Sequence, residues 1–564
     1  MAAGAVASTA HADERAIPMP TNTSTKKYPW PAEAPEINAG QIEQEIEADV
    51  IVIGLGLAGV TAVRSAVEEG ASVIAFEKSE HPNVRSGDFA VLGGKTMEAW
   101  GLGDVVDPDT VANHEMDESS YYPKRSIYLK WAKNNGEVFD WYIGAKPDLY
   151  IAESSISDIP DDVGTYLSPY FLPLPEGYYW RAEEHPTYPT SVKFSPSQSD
   201  VFMANWDKAQ SEGDVQAFFG HFAEELIKDD DRVVGCYARN AKTGDYVKAT
   251  AKKSVILATG DYSSNKEYMD YFCPAVNENG VTNWWPDRDV EGNPVNTGDG
   301  LRMGAWAGAR IQQHHAPMIH WMGKVLGGTG MDMSPVGTAP FLMLNKRGER
   351  FMNEDVPGQQ MENQIELQPD GTVYQIWDAN WTNQWAAFPI KHGKATYFME
   401  KSPANRGADP ASPDDIITPE AVEAAVKAGR VYKSDTIEGL LKQLEGIDAE
   451  AAKASIERYN RLAENGNDED FGKVATRLFP VEEGPFYGTI CGLGDILVCM
   501  GGLESDEECR VYATDRSVIK GLYVAGNIQG NRFAVQYPIA LKGISHAMAL
   551  YYGYVAGKNA VAEV

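Results

Sequence analysis

A glycine-rich turn between two predicted strands constrains the fold of this chain more than any other feature. Asp49–Ile53 is a short run rich in β-branched residues, which is typical of a strand buried on both faces. Gly54–Gly59 follows as Gly-Leu-Gly-Leu-Ala-Gly, and Val60–Glu69 has the character of a helix. A second apolar run, Ser72–Phe76, leads into Glu77, 18 positions after the last glycine of the turn. This order predicts a Rossmann-type βαβ unit in an α/β protein.

The three glycines of the turn have separate roles in such a unit. Gly54 permits the tight turn, Gly56 lets the backbone approach a pyrophosphate, and Gly59 allows close packing of helix on strand. The N-terminus of the following helix offers N–H groups and a partial positive charge to phosphates. Glu77 ends the second strand, where a carboxylate accepts hydrogen bonds from ribose hydroxyls. The pattern predicts dinucleotide binding, and a tight turn without a ligand is the alternative.

Two later segments favour FAD over NAD. Val255–Gly260 and Gly521–Asn527 each have the pattern of a strand that runs into a glycine. A nucleotide fold that closes with such a segment resembles the flavoproteins with two dinucleotide-binding domains, in which the last segment holds the flavin ribityl chain. We therefore expect FAD, bound without a covalent link.

Length, charge and cysteine usage limit the possible partners. The 564 residues are enough for two large domains. A net charge of −32 repels phosphate backbones, which argues against nucleic acid as a partner. The same charge suits a basic redox partner or simply a well-solvated surface. The five cysteines form no C-x-x-C and no C-x-x-C-H, so we predict no metal site and no covalently bound haem in this chain.

The N-terminal residues suggest export. They are small and apolar, and Ala10–Ala12 matches an A-x-A cleavage pattern, as at the end of a secretory signal. A disordered alanine-rich terminus is the alternative. Residues 13–45 are rich in Pro, Thr, Ala and Glu and are predicted to form a linker, so 1–45 is interpreted as a leader remnant and linker. No other apolar run is long enough to span a bilayer.

Periodicity gives a coarse outline of the remaining chain. Residues 120–143 and Val215–Ile227 are predicted to be helices. Arg232–Arg239 and Val247–Leu257 are predicted to be strands, and residues 415–465 are strongly helical in character.

Several further segments occur in the order of a known family. They are Ser254–Gly260, Thr297–Gly300, Ala307–Ala309, Leu344–Glu354, Met500–Gly502 and Gly521–Gly526. Together with the Gly54–Gly59 turn they resemble the fumarate reductase/succinate dehydrogenase flavoprotein family, over about Ala48–Asn559. The resemblance implies a Rossmann-type FAD-binding domain built from residues 46–317 and 497–564, with an inserted α+β capping domain at 318–496 that closes over the flavin.

The resemblance also implies which residues contact FAD. They lie in the turn, at and after the second strand, in the later glycine segments and before the last helix. The set is Gly54, Gly56, Leu57, Ala58, Gly59, Glu77, Lys78, Ser86, Gly87, Gly93, Gly94, Thr259, Gly260, Asp299, Gly526, Asn527, Gly543 and Ile544.

Two departures from the family argue against fumarate as the substrate. In fumarate reductases an Arg a few residues beyond the Met-Asn-Glu motif donates the proton, but Asp355–Gln360 contains no Arg. Those enzymes also carry a His just before Met-Gly-Gly, where this chain has Leu497–Cys499. His315 lies one position away from the family's His-Pro-Thr segment, so no role is assigned to it. No clamp for a dicarboxylate is visible.

The C-terminal region is similar to the 3-ketosteroid dehydrogenase branch, through Arg532–Pro538 and the following Gly543. The similarity implies that Tyr537 hydrogen-bonds a substrate carbonyl; a buried tyrosine satisfied by backbone is the alternative. Arg532 is a candidate to deliver a proton or bind an anionic group, or is a salt-bridged surface residue. His546 is a candidate proton shuttle, or a packed helix residue.

Dense aromatic residues in the predicted insertion and cap suit a large planar apolar substrate, although ordinary packing explains them equally well. They are Tyr166, Tyr170, Tyr178, Tyr179, Trp180, Trp284, Trp285 and Trp321.

These features predict an enzyme acting on a carbon–carbon double bond. We expect an exported FAD-dependent oxidoreductase that reduces a carbonyl-activated C=C bond of a small organic substrate, by hydride transfer from flavin N5. Electrons would come from a separate donor such as a multihaem cytochrome, as in anaerobic respiration. The alternatives are a dehydrogenase like the 3-ketosteroid dehydrogenases and, in a different functional class, a flavin electron carrier without its own substrate.

Overall fold

An eight-stranded sheet forms the centre of the molecule. The computed structural model describes residues 27–154, 157–170, 188–283, 286–320, 323–327, 333–337, 339–356, 358–384, 387, 419–538 and 540–563. Its strands, numbered in chain order, are β1 (Ile42–Ile53), β2 (Val73–Glu77), β3 (Asp88–Ala90), β4 (Tyr150–Ile151), β5 (Tyr166–Pro169), β6 (Ser191–Ser195), β7 (Val215–Phe219), β8 (His221–Asp229), β9 (Arg232–Asn240), β10 (Tyr246–Leu257), β11 (Ala316–His320), β12 (Leu342–Asn345), β13 (Val373–Trp377), β14 (Tyr432–Ser434), β15 (Phe486–Cys491), β16 (Asp495–Met500), β17 (Arg510–Tyr512) and β18 (Val518–Val524).

The helices cover this sheet and a smaller one. In chain order they are α1 (Leu57–Glu68), α2 (Gly94–Ala99), α3 (Pro108–Glu118), α4 (Arg125–Ile143), α5 (Ser199–Glu212), α6 (Lys266–Phe272), α7 (Pro274–Glu278), α8 (Asp299–Trp306), α9 (Gly358–Ile365), α10 (Trp381–Gln384), α11 (Pro419–Lys427), α12 (Ile437–Leu441), α13 (Ala449–Asn465) and α14 (Ile544–Ala562). The architecture is α/β, as the sequence predicted.

The middle of the main sheet is parallel and buried on both faces. β1 pairs in parallel with β2 and β10, and β10 pairs in parallel with β18. Val50 and Val52 face one hydrophobic core, whereas Ile51 and Ile53 face the other. This alternation explains why the strand has a continuous apolar run. The carboxyl ends of these four strands meet at one edge of the sheet, where α/β proteins bind ligands.

Helices α1 and α14 pack closely against one another on one face of the sheet. A Cβ on Gly553 would lie 2.1 Å from Thr61 Oγ1, and a Cβ on Gly557 would lie 2.4 Å from the Ala62 carbonyl oxygen. Only glycine fits these positions, so the two glycines of α14 set how closely the helices approach. The contact fixes the N-terminal ends of both helices relative to the sheet edge.

A four-stranded antiparallel sheet, in the order β12-β13-β15-β14, lies within the predicted capping region. Beneath it, Arg350 donates to both carboxylate oxygens of Glu354 and to Asp468, with N–O distances of 2.8 Å, and Lys473 Nζ lies 3.3 Å from Glu354. Burial raises the pKa of Asp468, but hydrogen bonds from Arg350 and the backbone outweigh it and lower the pKa to about 2. The charged residues of the Leu344–Glu354 segment therefore brace the cap.

The predicted domain boundaries fall within two paired strands. The boundary at 317/318 lies inside β11 and the boundary at 496/497 lies inside β16, and these strands form an antiparallel pair. Division of the chain at these points stays a prediction.

One predicted helix is wrong. Val215–Ile227 forms β7 and most of β8, which turn at Gly220 with φ of 65°. β7 pairs in parallel with β2 and β8 pairs with β9, so sheet pairing overrides the local helix propensity of the Ala-Glu-Glu-Leu stretch. The helix predicted from residue 120 begins at Arg125, and the predicted linker ends early because β1 already starts at Ile42.

No helix among the described residues is long and apolar enough to cross a membrane. The A-x-A pattern of Ala10–Ala12 lies outside the described residues.

Candidate active site

A cleft opens at the sheet edge where β1, β2, β10 and β18 end. Its cavity volume is about 240 Å³. Among the residues predicted to bind the cofactor, those that line the cleft are Gly54, Gly56, Leu57, Ala58, Glu77, Lys78, Thr259, Gly260, Asp299, Gly526 and Asn527.

The glycine turn has the geometry that its sequence predicted. Gly54 has φ of 94°, and a Cβ there would lie 2.5 Å from the Ala258 carbonyl oxygen. A Cβ on Gly59 would lie 1.8 Å from the Gly54 carbonyl oxygen, so helix and turn are in direct contact. Gly56 faces open space, with the Asn83 oxygen at 3.9 Å as its nearest neighbour. A phosphate group can therefore approach the backbone at Gly56.

Glu77 braces the turn as well as facing the cleft. Its Oε2 accepts a hydrogen bond from the Leu55 N–H at 2.7 Å, and its Oε1 accepts one from the Ser79 N–H at 2.8 Å. A carboxylate has about four acceptor sites, so two remain for ribose hydroxyls.

Lys78 and Asp299 form an ion pair across the cleft. Lys78 Nζ lies 2.8 Å from both Asp299 Oδ2 and Thr297 Oγ1. Burial raises the pKa of Asp299, but Lys78 and Arg302 outweigh it and hold the pKa below its usual range. Asp299 therefore stays ionised and is an acceptor for hydroxyl groups.

The N-termini of three helices lie at the cleft, together with buried polar atoms that have no hydrogen-bond partner among the described residues. α1, α8 and α14 each begin beside a glycine N-cap, which supplies no side-chain acceptor for their first N–H groups. The buried atoms Thr259 Oγ1 and Asn296 Oδ1 have no hydrogen-bond partner among the described residues. Anion-attracting helix ends and unsatisfied polar atoms fit a dinucleotide with a pyrophosphate and a ribityl chain. The cleft therefore suits FAD.

Sequence reasoning missed other residues that line the cleft. They are Asn83, Arg85, His221, Asn296 and Ser545. Asn296 directly precedes the Thr-Gly-Asp-Gly segment, so that position was open to inference. Asn83 and Arg85 lie between the predicted residues Lys78 and Ser86, and Ser545 directly follows Ile544, so these positions were also open to inference. Only the tertiary structure brings His221 to the cleft.

Several predicted residues lie outside this lining. Gly87 packs against Phe194, Gly94 packs against Gly136, and Gly59 and Gly543 are packing positions. Ile544 is fully buried, and Ser86 and Gly93 have φ of 54° and 68°. The geometry gives these residues a supporting position around the cleft.

Arg532 is a buried cation without an acidic partner in the part of the chain that the structure describes. Its side chain is 1 % exposed, so the surface-residue alternative is wrong. Nη2 donates to Asn527 Oδ1 at 3.3 Å and Nε to the Gln529 carbonyl at 3.4 Å, while Nη1 has no partner among the described residues. Burial lowers the pKa of Arg532 to about 10, so it is charged at neutral pH. Because Asn527 lines the cleft, this charge lies one contact from the cofactor site.

Tyr537 lies at the N-terminus of α14. Its hydroxyl accepts a hydrogen bond from the Ser545 N–H at 3.2 Å, and Ser545 lines the cleft. The phenol oxygen of Tyr537 thus accepts a hydrogen bond from the backbone, and the phenol O–H is the group that can donate to a ligand. Burial raises the pKa of Tyr537 to about 12, which keeps the phenol protonated at neutral pH.

The segment that carries Arg532 and Tyr537 is strained. Asn531 and Val535 have φ of 64° and 68°. A β-branched residue at positive φ is a true outlier that costs about 1–3 kcal/mol. Such strain is often found at functional sites.

His546 lines the cleft but is not a free acid. Nδ1 lies 3.1 Å from the Asp88 carbonyl oxygen, which only accepts, so Nδ1 carries the hydrogen. Burial lowers the pKa of His546, so the ring is neutral at neutral pH and Nε2 is an acceptor. His315, by contrast, stacks on Phe272 in the core and bonds Tyr262, away from the cleft.

The segment Asp355–Gln360 contains no arginine, but an arginine from another part of the chain contacts it in the structure. Arg477, which is buried, donates to the Asp355 carboxylate at the start of Asp355–Gln360. The sequence separation hides this contact.

Among the residues of the aromatic group, Tyr170 is buried and Tyr166 is half-buried. The others lie outside the described residues: Tyr178, Tyr179, Trp180, Trp284, Trp285 and Trp321.

Comparison with known proteins identifies the family of the chain. Residues 196–540 match the family described as FAD binding domain. The NADH:acrylate oxidoreductase of Vibrio harveyi is 25% identical over 92% of this chain, which spans 50% of that protein. The vinyl phenol reductase of Lactiplantibacillus plantarum is 26% identical, with 91% of this chain and 96% of that protein covered. The 3-oxosteroid 1-dehydrogenase of Mycolicibacterium smegmatis is 25% identical, with 92% and 97% covered.

Solved structures share the fold. The 3-ketosteroid-Δ4-(5α)-dehydrogenase of Rhodococcus jostii has a TM-score of 0.64 at 20% identity, covering 92% of this chain and 98% of that one. A flavocytochrome c3 fumarate reductase has a TM-score of 0.59 at 21% identity, covering 93% and 79%. Both support the predicted architecture.

Proposed function

From the premise that the chain belongs to the FAD binding domain family and is an FAD-dependent oxidoreductase acting on C=C bonds, we propose that it reduces a conjugated C=C bond of a small organic substrate. The single observation that carries the proposal is the buried Arg532. It is a cation that has no acidic partner among the described residues, and it lies one contact from the cofactor cleft.

The cleft residues would hold FAD without a covalent bond. Gly56 and the N-terminus of α1 would face the pyrophosphate, Glu77 the ribose hydroxyls, and Thr259 and Asn296 the ribityl chain. When bound, FAD supplies the electron pair as hydride from N5. With Nδ1–H bonded to Asp88, His546 would accept a hydrogen bond from the cofactor and not shuttle protons.

Arg532 would bind an anionic group of the substrate or the negative charge that develops on the substrate during the reaction. A buried guanidinium without a counter-ion is costly, and a substrate carboxylate, a phenolate or a developing enolate relieves the cost. Tyr537 would donate its free proton in a hydrogen bond to the substrate oxygen. One such donor is worth on the order of 3 kcal/mol in the transition state.

The names of the relatives support a conjugated alkene as the substrate class. An acrylate has a C=C bond conjugated to a carboxylate and a vinyl phenol has one conjugated to an aromatic ring, whereas the name of the dehydrogenase gives a ketone. Two of the three names thus give a conjugated C=C bond, and each gives an oxygen-bearing group that Arg532 or Tyr537 would bind. Export and a separate electron donor, such as a multihaem cytochrome, are further parts of the proposal.

Turnover with an artificial donor tests the proposal. Purified FAD-loaded protein is supplied with reduced viologen and a panel of enoates, enones and vinyl phenols without oxygen. We expect viologen oxidation with conjugated alkenes and none with isolated alkenes. Inertness toward the whole panel would contradict the proposal.

The second candidate is a dehydrogenase that works in the opposite direction. It is favoured by Tyr537, whose phenol is bonded to the Ser545 N–H at the cleft and could itself donate to a ketone. Oxidation of saturated 3-ketosteroids by an artificial acceptor, with no viologen oxidation, would select it. A protein that exchanges electrons but responds to no substrate would be an electron carrier.

A further inference from the structure

We propose that a second pocket, separate from the cofactor cleft, binds a small organic anion with a flat body and holds its carboxylate or phosphate group on Arg310 and Arg516. This pocket, here called the basic pocket, has a volume of about 540 Å³ and shares no lining residue with the cleft. The volume lies within the range of about 300–1,000 Å³ that is usual for small-molecule sites. The inference concerns a different site and does not rest on the proposed function.

Backbone hydrogen bonds fix the residues that form one side of the basic pocket. The Arg310 N–H donates to the Tyr512 carbonyl at 2.8 Å, and the Glu504 N–H donates to the Arg310 carbonyl at 2.8 Å. The Tyr512 N–H donates to the Glu504 carbonyl at 2.9 Å. All three residues line the pocket. Their backbones are therefore held in place before a ligand binds, which lowers the entropy cost of binding.

Two guanidinium groups meet at one carboxylate in this pocket. Arg310 Nε lies 3.0 Å from Glu504 Oε1, and Arg516 Nη1 lies 3.6 Å from Glu504 Oε2. Neither contact is a hydrogen bond, since Arg310 Nε is buried with no hydrogen-bond partner among the described residues and the Arg516 contact is too long. The N–H groups of both arginines are therefore available to the oxygens of a carboxylate or phosphate.

The charges at the basic pocket leave one positive charge in excess. Its cations are Lys124, Arg310 and Arg516, and its carboxylate is Glu504. Lys124 donates to Glu507 at 3.0 Å, so its charge is already paired. Two guanidinium groups thus face a single carboxylate, within a chain whose net charge is −32. A local positive potential of this kind attracts an anion.

Aromatic rings form another wall of the basic pocket. The rings of Tyr122 and His314 lie with their centroids 3.9 Å apart, and both residues line the pocket. Tyr122 is 55% exposed, so its ring offers a flat surface on which an aromatic or conjugated ligand can stack. A molecule that combines a flat body with an anionic group therefore matches the pocket.

Strained backbone is concentrated around this pocket. Arg516 and Asn531, which line it, have φ of 71° and 64°, and Tyr121, next to Tyr122, has φ of 58°. Residues with a Cβ are disfavoured at such angles, and strain of this kind is often found at functional sites. Arg516 lies in the turn between β17 and β18, where glycine would suit the backbone better. The backbone geometry therefore does not explain why an arginine is present there.

The basic pocket lies beside the loop that carries Arg532. Gln312 lines the pocket, and its Oε1 accepts a hydrogen bond from the Asn531 N–H at 2.6 Å. Its Nε2 donates to the Phe533 carbonyl at 2.6 Å, and the Lys124 N–H donates to the Asn531 carbonyl at 2.9 Å. An anion in the pocket therefore lies against the residues that hold this loop, and its binding should stabilise the folded protein.

Calorimetric titration of the FAD-loaded protein tests the proposal, with benzoate, phenyl phosphate and the neutral benzamide as probes. We expect benzoate or phenyl phosphate to bind at one site that remains in Arg532→Met, and benzamide not to bind. The tighter anion identifies the group that the pocket prefers. The affinity should fall as NaCl is raised. Failure of both anions to bind Arg532→Met, or equally tight binding of benzamide, would overturn the proposal.

Arg516→Gly separates loss of the site from loss of the fold, because glycine suits the positive φ while the charge is removed. The affinity for the anion should fall on the order of 10-fold, and the midpoint of thermal unfolding should not fall. Asp230→Gly is the matched control, because Asp230 has φ of 51° between β8 and β9 and does not line the pocket. Unchanged affinity in Arg516→Gly, or equal weakening in Asp230→Gly, would contradict the site.

Glu504→Gln should change the affinity in the opposite direction. The amide keeps the shape of the side chain and removes the negative charge that competes for Arg310 and Arg516, so the anion should bind several-fold more tightly. A purely structural ion pair predicts no such gain. Unchanged or lower affinity in folded, FAD-loaded Glu504→Gln would show that these arginines do not hold the anion. No titration involves turnover, so failure of the proposed function would leave these results unaffected.

Discussion

At the scale of single residues, Tyr537 carries the sharpest expectation. Tyr537→Phe removes the donated proton but keeps the ring, so kcat should fall by about 10²-fold while FAD content stays the same. Steady-state kinetics on the preferred alkene measure this. Tyr374→Phe is the control, because this phenol bonds the Glu445 carbonyl in the capping sheet, away from the cleft. Full turnover in Tyr537→Phe would show that the carbonyl role is wrong.

Arg532 is expected to lower the free energy of unfolding while it supports catalysis. Removing a buried unpaired charge with Arg532→Met should leave the free energy of unfolding unchanged or raise it by roughly 1–4 kcal/mol, while kcat/KM collapses. Urea unfolding of the FAD-loaded proteins measures the first effect.

Arg64→Met is the contrasting control. Arg64 is also buried, but it pairs with Glu68 at 2.9 Å and donates to Asn205. Its loss should lower stability by about 1–3 kcal/mol because the buried amide oxygen of Asn205 is left without its donor. If Arg532→Met is destabilised as strongly as Arg64→Met, the cation has a partner that the account omits.

Single residues were predictable where a motif dictates the local backbone. Gly54, Gly56 and Glu77 follow from the order of strand, turn and strand. The contact between Arg477 and Asp355 was not predictable, because it joins segments that are far apart in the sequence.

At the scale of elements, the contact between turn and helix is the most demanding. Gly59→Ala places a Cβ 1.8 Å from the Gly54 oxygen, so β1 and α1 must separate. We expect loss of FAD and of at least 1–3 kcal/mol of stability, measured by flavin content and thermal unfolding. Gly40→Ala, with nothing within 4 Å of the added Cβ, should behave as wild type. Normal FAD content in Gly59→Ala would contradict this packing.

The helix that was wrongly predicted shows where a local sequence pattern fails to identify a secondary-structure element. The stretch at Val215–Ile227 has good helix formers, yet it forms two strands that pair with β2 and β9. The βαβ unit, by contrast, was predictable because strand, turn and helix are contiguous. Strand pairing over long distances is decided by tertiary structure and leaves little trace in one segment.

At the scale of the whole molecule, stability at low pH depends on the ion pairs of Arg350 with Glu354 and Asp468. Because the folded-state pKa of Asp468 is lowered to about 2, its contribution is present above the unfolded pKa near 4 and is lost as pH falls toward 2. The stability difference between wild type and Asp468→Asn should therefore shrink by about 2 kcal/mol between pH ~5 and pH ~2.5. Urea unfolding at several pH values measures it, and a constant difference would contradict the ion network.

The class of the molecule was predictable, whereas its division at 317/318 and 496/497 stays a prediction. Family segments spread along the chain imply FAD and the α/β architecture, and the family match and the solved structures confirm both. The predicted boundaries cut through the paired strands β11 and β16, because a sequence shows where a resemblance changes but not which strands pair across it.

The most direct test of the central claim is a single turnover. FAD-loaded protein is reduced by one electron pair without oxygen and mixed with a conjugated alkene, while the absorbance of oxidised flavin and the product are followed together. The account predicts that oxidised flavin returns at the rate at which saturated product forms, one for one, and that an unconjugated alkene has no effect. Flavin that stays reduced with every conjugated alkene, yet passes its electrons to a soluble acceptor, would contradict it.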